Sequence, residues 1–208
     1  MSTPEHVSNW NVPNALTTLR LVMVPFFGWV LLHDGGHNTT WRWVAWALFV
    51  LAMITDKIDG DIARKHNLIT NFGKIADPIA DKAMTGMAFV GLAIIHDFLP
   101  AWLWWTVTVV VLVREWAVTF ARLSIAKDVV MPAKRSGKVK TVMQVVALGG
   151  FIAPFGYLTG ALEVPGDLMW WGASVALGVA VLLTITSGVE FARDVVRHRR
   201  SAPATAQH

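Results

Sequence analysis

Six long apolar stretches carry most of the chain, at about Ala15–Leu32, Trp41–Ile58, Asp77–Ile95, Ala101–Phe120, Val139–Tyr157 and Leu168–Val189. A helix needs roughly 20 apolar residues to cross a hydrocarbon core, and each stretch is close to that length. Turn chemistry separates them at His33-Asp34-Gly35-Gly36, Asp97–Pro100, Pro132–Lys138 and Val164-Pro165-Gly166-Asp167. The pattern predicts an all-α integral membrane protein of six transmembrane helices. A short N-terminal juxtamembrane segment over 1–13 precedes a membrane domain over 14–195. A basic, disordered tail is expected over 196–208.

Polar residues then orient the spans. Arg64, Lys65 and Lys74 follow the second stretch, Lys127, Lys134, Arg135, Lys138 and Lys140 follow the fourth, and Arg193, Arg197, Arg199 and Arg200 end the chain. The opposite connections hold Asp34, Asp97, Glu163 and Asp167, with Arg42 the only basic residue. Positive charge stays on the cytoplasmic side, so both termini and both basic connections are expected there, in the cell membrane. Trp41, Trp43, Trp46, Trp102, Trp104, Trp105, Trp170 and Trp171 fall at the outer ends, as an interfacial aromatic belt would. The leading MSTPEHVSNWNVPN lacks the basic and small-residue features of a signal peptide and is expected to remain cytoplasmic.

Composition narrows the function. With 54% hydrophobic and 15% charged residues among 208, the chain is far from a soluble domain, where about a quarter is charged. Six spans leave no room for a separate soluble catalytic domain, so any chemistry sits on the helices or in short connections. The absence of cysteine excludes disulfides, thiol catalysis and thiolate metal sites. The net charge of +4 suits an anionic membrane surface or anionic substrate better than nucleic acid. The seven histidines lack ligand spacing and suggest no zinc.

Charge at membrane depth is costly and usually functional. Asp56, Asp59, Gly60, Ala63 and Arg64 share one helical face, and Gly73, Asp77 and Asp81 share another. A short loop joins the two, so an antiparallel pair would gather four carboxylates at the cytoplasmic end. Each raises the others' pKa, so a cation is expected among them. Oxygen ligands suit Mg²⁺ or Mn²⁺, and four carboxylates suit two such ions in a phosphoryl-transfer site. Gly60 and Gly73 leave room near the backbone, and Arg64 can fork onto a phosphate. The plainer alternative is interface pairing with Lys57, Arg64, Lys74 and Lys82. Asp61 and Lys65 lie off the face and read as solvated. A divalent-cation transporter would also use acidic spans, but its carboxylates belong at midplane.

The run Asp56-x2-Asp59-Gly60-x2-Ala63-Arg64-x8-Gly73-x3-Asp77-x3-Asp81 fixes eight positions over 26 residues. It resembles the signature of the CDP-alcohol phosphotransferase family, whose six-helix fold covers a chain of this length. The resemblance implies that Asp56, Asp59, Asp77 and Asp81 hold two Mg²⁺ ions, with Asp81 also the general base. It implies CDP-diacylglycerol contacts at Gly60, Arg64 and Thr70, and at Asn14, Ala15, Leu16 and Thr17 in the PNALTTLR run. Capping is the alternative role for Asn14 and Thr17.

Arg114, Arg122, Lys138 and Lys140 form a basic set on the fourth and fifth spans, fit for an acceptor that carries a phosphate. Glu115, another bundle residue or a substrate phosphate would partner Arg114. Lys134 and Arg135 also fit lipid head groups. The REW…GKVKT pattern is similar to the actinobacterial phosphatidylglycerophosphate synthases of the family, which implies sn-glycerol 3-phosphate as acceptor. Phosphatidylinositol-phosphate synthases, with inositol 1-phosphate, are the near rival. The family resemblance, more than the small-x3-small pair Ser174 and Gly178, implies a homodimer among membrane lipids.

Overall fold

The computed structural model describes residues 11–66, 68, 70–97, 99–125, 135–157 and 163–201. These form six α-helices: α1 (Val12–Leu32), α2 (Thr39–Lys65), α3 (Asn71–Ile95), α4 (Ala101–Ile125), α5 (Arg135–Ile152) and α6 (Glu163–Ser201). Two short 3₁₀ turns, His33–Gly36 and Phe155–Tyr157, are the other helical elements among the described residues. No strand occurs among them.

Five of the helices are long and apolar enough to cross a membrane: α1, α3, α4, α5 and α6. Helix α2 falls short of that composition, because Arg42 at one end and Asp56, Lys57 and Asp59 at the other interrupt its apolar run. The chain is therefore a multi-pass α-helical membrane protein.

Several boundaries differ from the apolar pattern for local reasons. Asn11 caps α1, its side chain accepting from the Asn14 N–H, with Pro at the first turn. Asn14 is thus inside the helix rather than its cap. Thr70 caps α3, so that helix starts at Asn71, well before Asp77. Helix α5 ends at Ile152, ahead of Pro154 and the Phe155–Tyr157 turn. The Val164–Asp167 segment, expected as a turn, is the first turn of α6, where Pro165 loses no helical hydrogen bond. Helix α6 also runs to Ser201, into the segment expected as tail. The His33–Gly36 break behaves as expected, with Asp34, Gly35 and Gly36 all at positive φ.

Helix α1 is the centre of the N-terminal half. Both α2 and α3 pack mainly on α1 and touch each other little, so the antiparallel α2–α3 pair expected from the short loop does not form. Glycines allow the approach of α1 to α3: a Cβ on Gly91 would come within 2.5 Å of Leu31, and one on Gly28 within 2.7 Å of Met87. Helices α5 and α6 pack against each other along their length, and Gly150 meets Ala173 there. Gly178 instead faces open space, and the Ser174 hydroxyl donates to Trp170 of its own helix.

The aromatic belt needs one correction. Trp104 is only 1% exposed and packs edge-on against Phe151, with ring centroids 5.1 Å apart. Beside it, Trp102 and Trp105 are exposed, because residues three apart share a helix face and Trp104 points away from it. At the same end Arg42 is fully buried and donates to the carbonyls of Ile152 (2.8 Å), Phe151 (2.5 Å) and Gly36 (3.1 Å), and to Asp97 (3.3 Å). One guanidinium thus serves the last carbonyls of α5 and ties together two connections. Asp97 also accepts from the Tyr157 hydroxyl at 2.6 Å.

Candidate active site

The site starts at the N-terminal end of α1. The helix turns Asn14, Thr17 and Arg20 inward, at the three-residue spacing of one face. Ala15 is exposed and Leu16 half-buried, so the expected four-residue segment does not act as a block. Asn14 Nδ2 donates to Thr70 Oγ1 at 2.9 Å, and Thr70 Oγ1 accepts from the Gly73 N–H at 3.0 Å. The Thr17 hydroxyl donates to Asp77 Oδ1 at 2.5 Å. The contact is close at Gly73, where a Cβ would stand 3.0 Å from Asn14 Oδ1 and 3.3 Å from Thr70 Oγ1.

Arg20 was not among the residues expected. Its guanidinium is 1% exposed and forks between two carboxylates of α2, donating to Asp56 Oδ1 at 2.5 Å and to Asp59 Oδ2. The sequence carries a signal for it: Arg20 lies three residues after Thr17 and six after Asn14, inside an apolar span where a lone cation needs a partner. Sequence spacing relates residues within one helix, and the partners are on another.

The four aspartates are brought to one region by α1. Asp56 lies within electrostatic reach of Asp59, Asp77 and Asp81. Their oxygens are the donor type a hard divalent ion takes. The donor set therefore fits such an ion in kind. Among the described residues no three acidic or histidine side chains close into a ligand group, and Arg20 bridges the two carboxylates from α2. The plainer pairing holds in part: Lys82 meets Asp81, while Lys57 and Lys74 are exposed. Arg64 extends into solvent, 68% exposed, and pairs with Asp61 at 2.7 Å. An exposed pair of this kind is weak and leaves the guanidinium available to a ligand. Gly60 lies under it, its Cβ position 3.4 Å from both terminal nitrogens.

A second cluster adjoins the first. Glu115 of α4, 5% exposed, receives Lys82 of α3 at 3.0 Å, its neighbour Arg114 at 3.2 Å, and Lys140 of α5. Arg114 also donates to Ser187 Oγ of α6 at 2.8 Å. Lys82 belongs to both clusters, because its ammonium is also 2.8 Å from Asp81 Oδ2.

Two residues of the expected basic set, Arg114 and Lys140, come together. Lys138 does not: it is exposed and joins none of the described ion pairs. Two positions apart on a helix are about 200° apart, so Lys138 and Lys140 cannot share a face. The Arg122 side chain lies outside the described residues, as do those of Lys134 and Arg135.

Fold and site together define an α-helical membrane protein whose polar chemistry is a patch of acidic and basic side chains supplied by α1 to α5, with the Ser187 hydroxyl of α6 beside it. The chain belongs to the CDP-alcohol phosphatidyltransferase family, whose model matches residues 10–193. Over 187 residues it is 45% identical to a probable phosphatidylglycerophosphate synthase of Mycobacterium tuberculosis (strain H37Rv), covering 90% of this chain and 82% of that one. It is 35% identical over 193 residues to a CDP-diacylglycerol–glycerol-3-phosphate 3-phosphatidyltransferase of Bacillus subtilis (strain 168), covering 88% and 93%. A protein of the same name from Rickettsia felis is 37% identical over 186 residues, covering 87% and 93%.

Proposed function

We propose that this chain transfers the phosphatidyl group of CDP-diacylglycerol to sn-glycerol 3-phosphate, releasing CMP and forming phosphatidylglycerol phosphate. One observation carries the reading of the site. Lys82 joins Asp81, the last carboxylate of the signature, to a cluster of cations suited to a phosphate. A group that takes a proton is thus adjacent to groups that hold an anionic acceptor.

Asp56, Asp59, Asp77 and Asp81 would hold two Mg²⁺ ions, and Mn²⁺ suits the same oxygens. Bound there, the ions would neutralise charge developing on the donor pyrophosphate. Asn14, Thr17 and Thr70 line the donor side, and Arg64 swings from Asp61 onto a donor phosphate. Arg114 and Lys140 orient the acceptor by its phosphate, leaving its primary hydroxyl beside Asp81. Asp81 takes the hydroxyl proton. The acceptor oxygen then bonds to the phosphorus that carries diacylglycerol, and the bond from that phosphorus to CMP breaks in a single displacement. We read α2 as a sixth span, with both termini and the site on the cytoplasmic side, and the working unit as a homodimer.

CMP release by the purified protein, with CDP-diacylglycerol as donor and a panel of acceptors, tests the proposal. Turnover is expected with glycerol 3-phosphate, to require Mg²⁺ or Mn²⁺, and to fall at least a hundredfold in Asp81→Asn. Turnover with inositol 1-phosphate and none with glycerol 3-phosphate would transfer the assignment to the other phosphorylated acceptor. Near wild-type turnover in Asp81→Asn would remove the base from Asp81.

A further inference from the structure

Three cations and one carboxylate meet at the junction of α3, α4, α5 and α6. Glu115 provides the carboxylate. Lys82 reaches one of its oxygens, and Arg114 and Lys140 reach the other. Asp81 is the second anion in contact, through Lys82. Even with Asp81 counted in full, positive charge is in excess among these described ion pairs. Lys82, Arg114 and Lys140 thus share one buried carboxylate, while Asp81 belongs also to the aspartate group beside it.

The burial is graded. The side chains of Glu115 and Lys140 are 7% and 5% exposed, and those of Lys82, Arg114 and Asp81 are 15%, 16% and 22% exposed. Glu115 and Lys140 therefore form the floor, and Lys82, Arg114 and Asp81 the open side. Arg114 has donor capacity to spare: its Nε–H is buried and has no hydrogen-bond partner. Gly188 of α6 gives this guanidinium its room, since a Cβ there would lie 3.3 Å from Arg114 Cγ and 3.6 Å from Nε. A phosphate is an anion of the required sign with several acceptor oxygens, and arginine binds it through parallel N–H bonds.

We infer that Glu115 is the positioning residue of the acceptor site. Its carboxylate draws Lys82, Arg114 and Lys140 from three helices into one phosphate-binding set without touching the substrate, and Lys82 is a member of that set. The inference rests on the assignment of this cluster to the acceptor phosphate. Without Glu115 the three cations repel one another and separate, so the acceptor meets a disordered site. The donor side, built on α1, keeps its own contacts.

Steady-state kinetics on purified Glu115→Gln and Glu115→Asp, with both substrates varied, test this alongside calorimetric binding of sn-glycerol 3-phosphate. Glu115→Gln should raise KM and Kd for glycerol 3-phosphate about tenfold or more, with KM for CDP-diacylglycerol within twofold of wild type. Glu115→Asp, which keeps the charge on a shorter arm, should recover part of the loss. An unchanged or tightened acceptor KM in Glu115→Gln overturns the inference, as does an equal loss toward both substrates. If the glutamine variant does not fold, the same split in Glu115→Asp decides. Arg114→Ala separates the two levels of argument. If it raises acceptor KM and Glu115→Gln does not, only the positioning role fails. If neither does, the cluster is not the acceptor site.

Discussion

Arg20 is a single side chain that holds two of the four aspartates. It is buried, it forks onto Asp56 and Asp59, and its Nε–H has no hydrogen-bond partner. Removing it leaves Asp59, itself 4% exposed, as a buried anion without its cation. A buried charge deprived of its partner costs about 3–5 kcal/mol. Arg20→Met should therefore lose at least a hundredfold in CMP release at saturating Mg²⁺. Arg20→Lys should recover only a small part, because an ammonium cannot fork across two carboxylates as a guanidinium does. Activity within threefold of wild type in either variant would show that Asp56 and Asp59 are held by other means. Spacing within α2 and α3 makes the aspartates visible in the sequence. Arg20 stands on a different helix, and only packing pairs it with them.

At the scale of one element, α5 shows how a helix end is secured where water is scarce. Its final carbonyls have no helical donors, and Arg42 of α2 supplies them for Phe151 and Ile152. The same group reaches Gly36 and Asp97, so α2, the α1–α2 turn and the α3–α4 connection are tied to one point. Arg42→Ala would strand a set of buried carbonyls together with Asp97, at a cost of about 3–5 kcal/mol. Thermal unfolding in detergent should show a midpoint lower by on the order of 10 °C. CMP release at low temperature should persist, because the four aspartates are at the far end of α2 and α3. A midpoint unchanged within 2 °C, about the shift expected of less than 1 kcal/mol, would show that the network adds little. Arg42 is legible in the sequence as the only basic residue on its side of the membrane. Its role is not, since two of its carbonyl partners, Phe151 and Ile152, are more than a hundred residues away.

For the whole molecule, the orientation of α2 decides whether the site faces the cytoplasm. The chain has no cysteine, so single cysteines report accessibility without background. Thr39→Cys and Asp167→Cys, both at exposed positions, should react with an impermeant maleimide added to intact cells. Lys65→Cys and Lys138→Cys, also exposed, should react only after the membrane is opened. Labelling of Lys65→Cys from outside would mean that α2 does not cross and would put the aspartates on the other face. Helix α2 carries charge at both ends, and these four positions test it directly.

The sequence by itself determined the helical class, the six helical elements though not all of their ends, and the face shared by each pair of aspartates. Those properties follow from hydropathy and from the helical period, both of which are local. It also determined the family, because the eight-residue signature lies within one short run from Asp56 to Asp81. Tertiary structure alone decided which helices meet. It placed α1 between α2 and α3, paired Arg20 with Asp56 and Asp59, and gathered Lys82, Arg114 and Lys140 around Glu115. It also buried Trp104 and left Lys138 outside the cluster. The physical reason is that packing joins residues far apart in the chain: Arg20 meets Asp56 and Asp59 36 and 39 residues on, and Lys140 meets Glu115 across 25, whereas hydropathy and helical period act only between near neighbours.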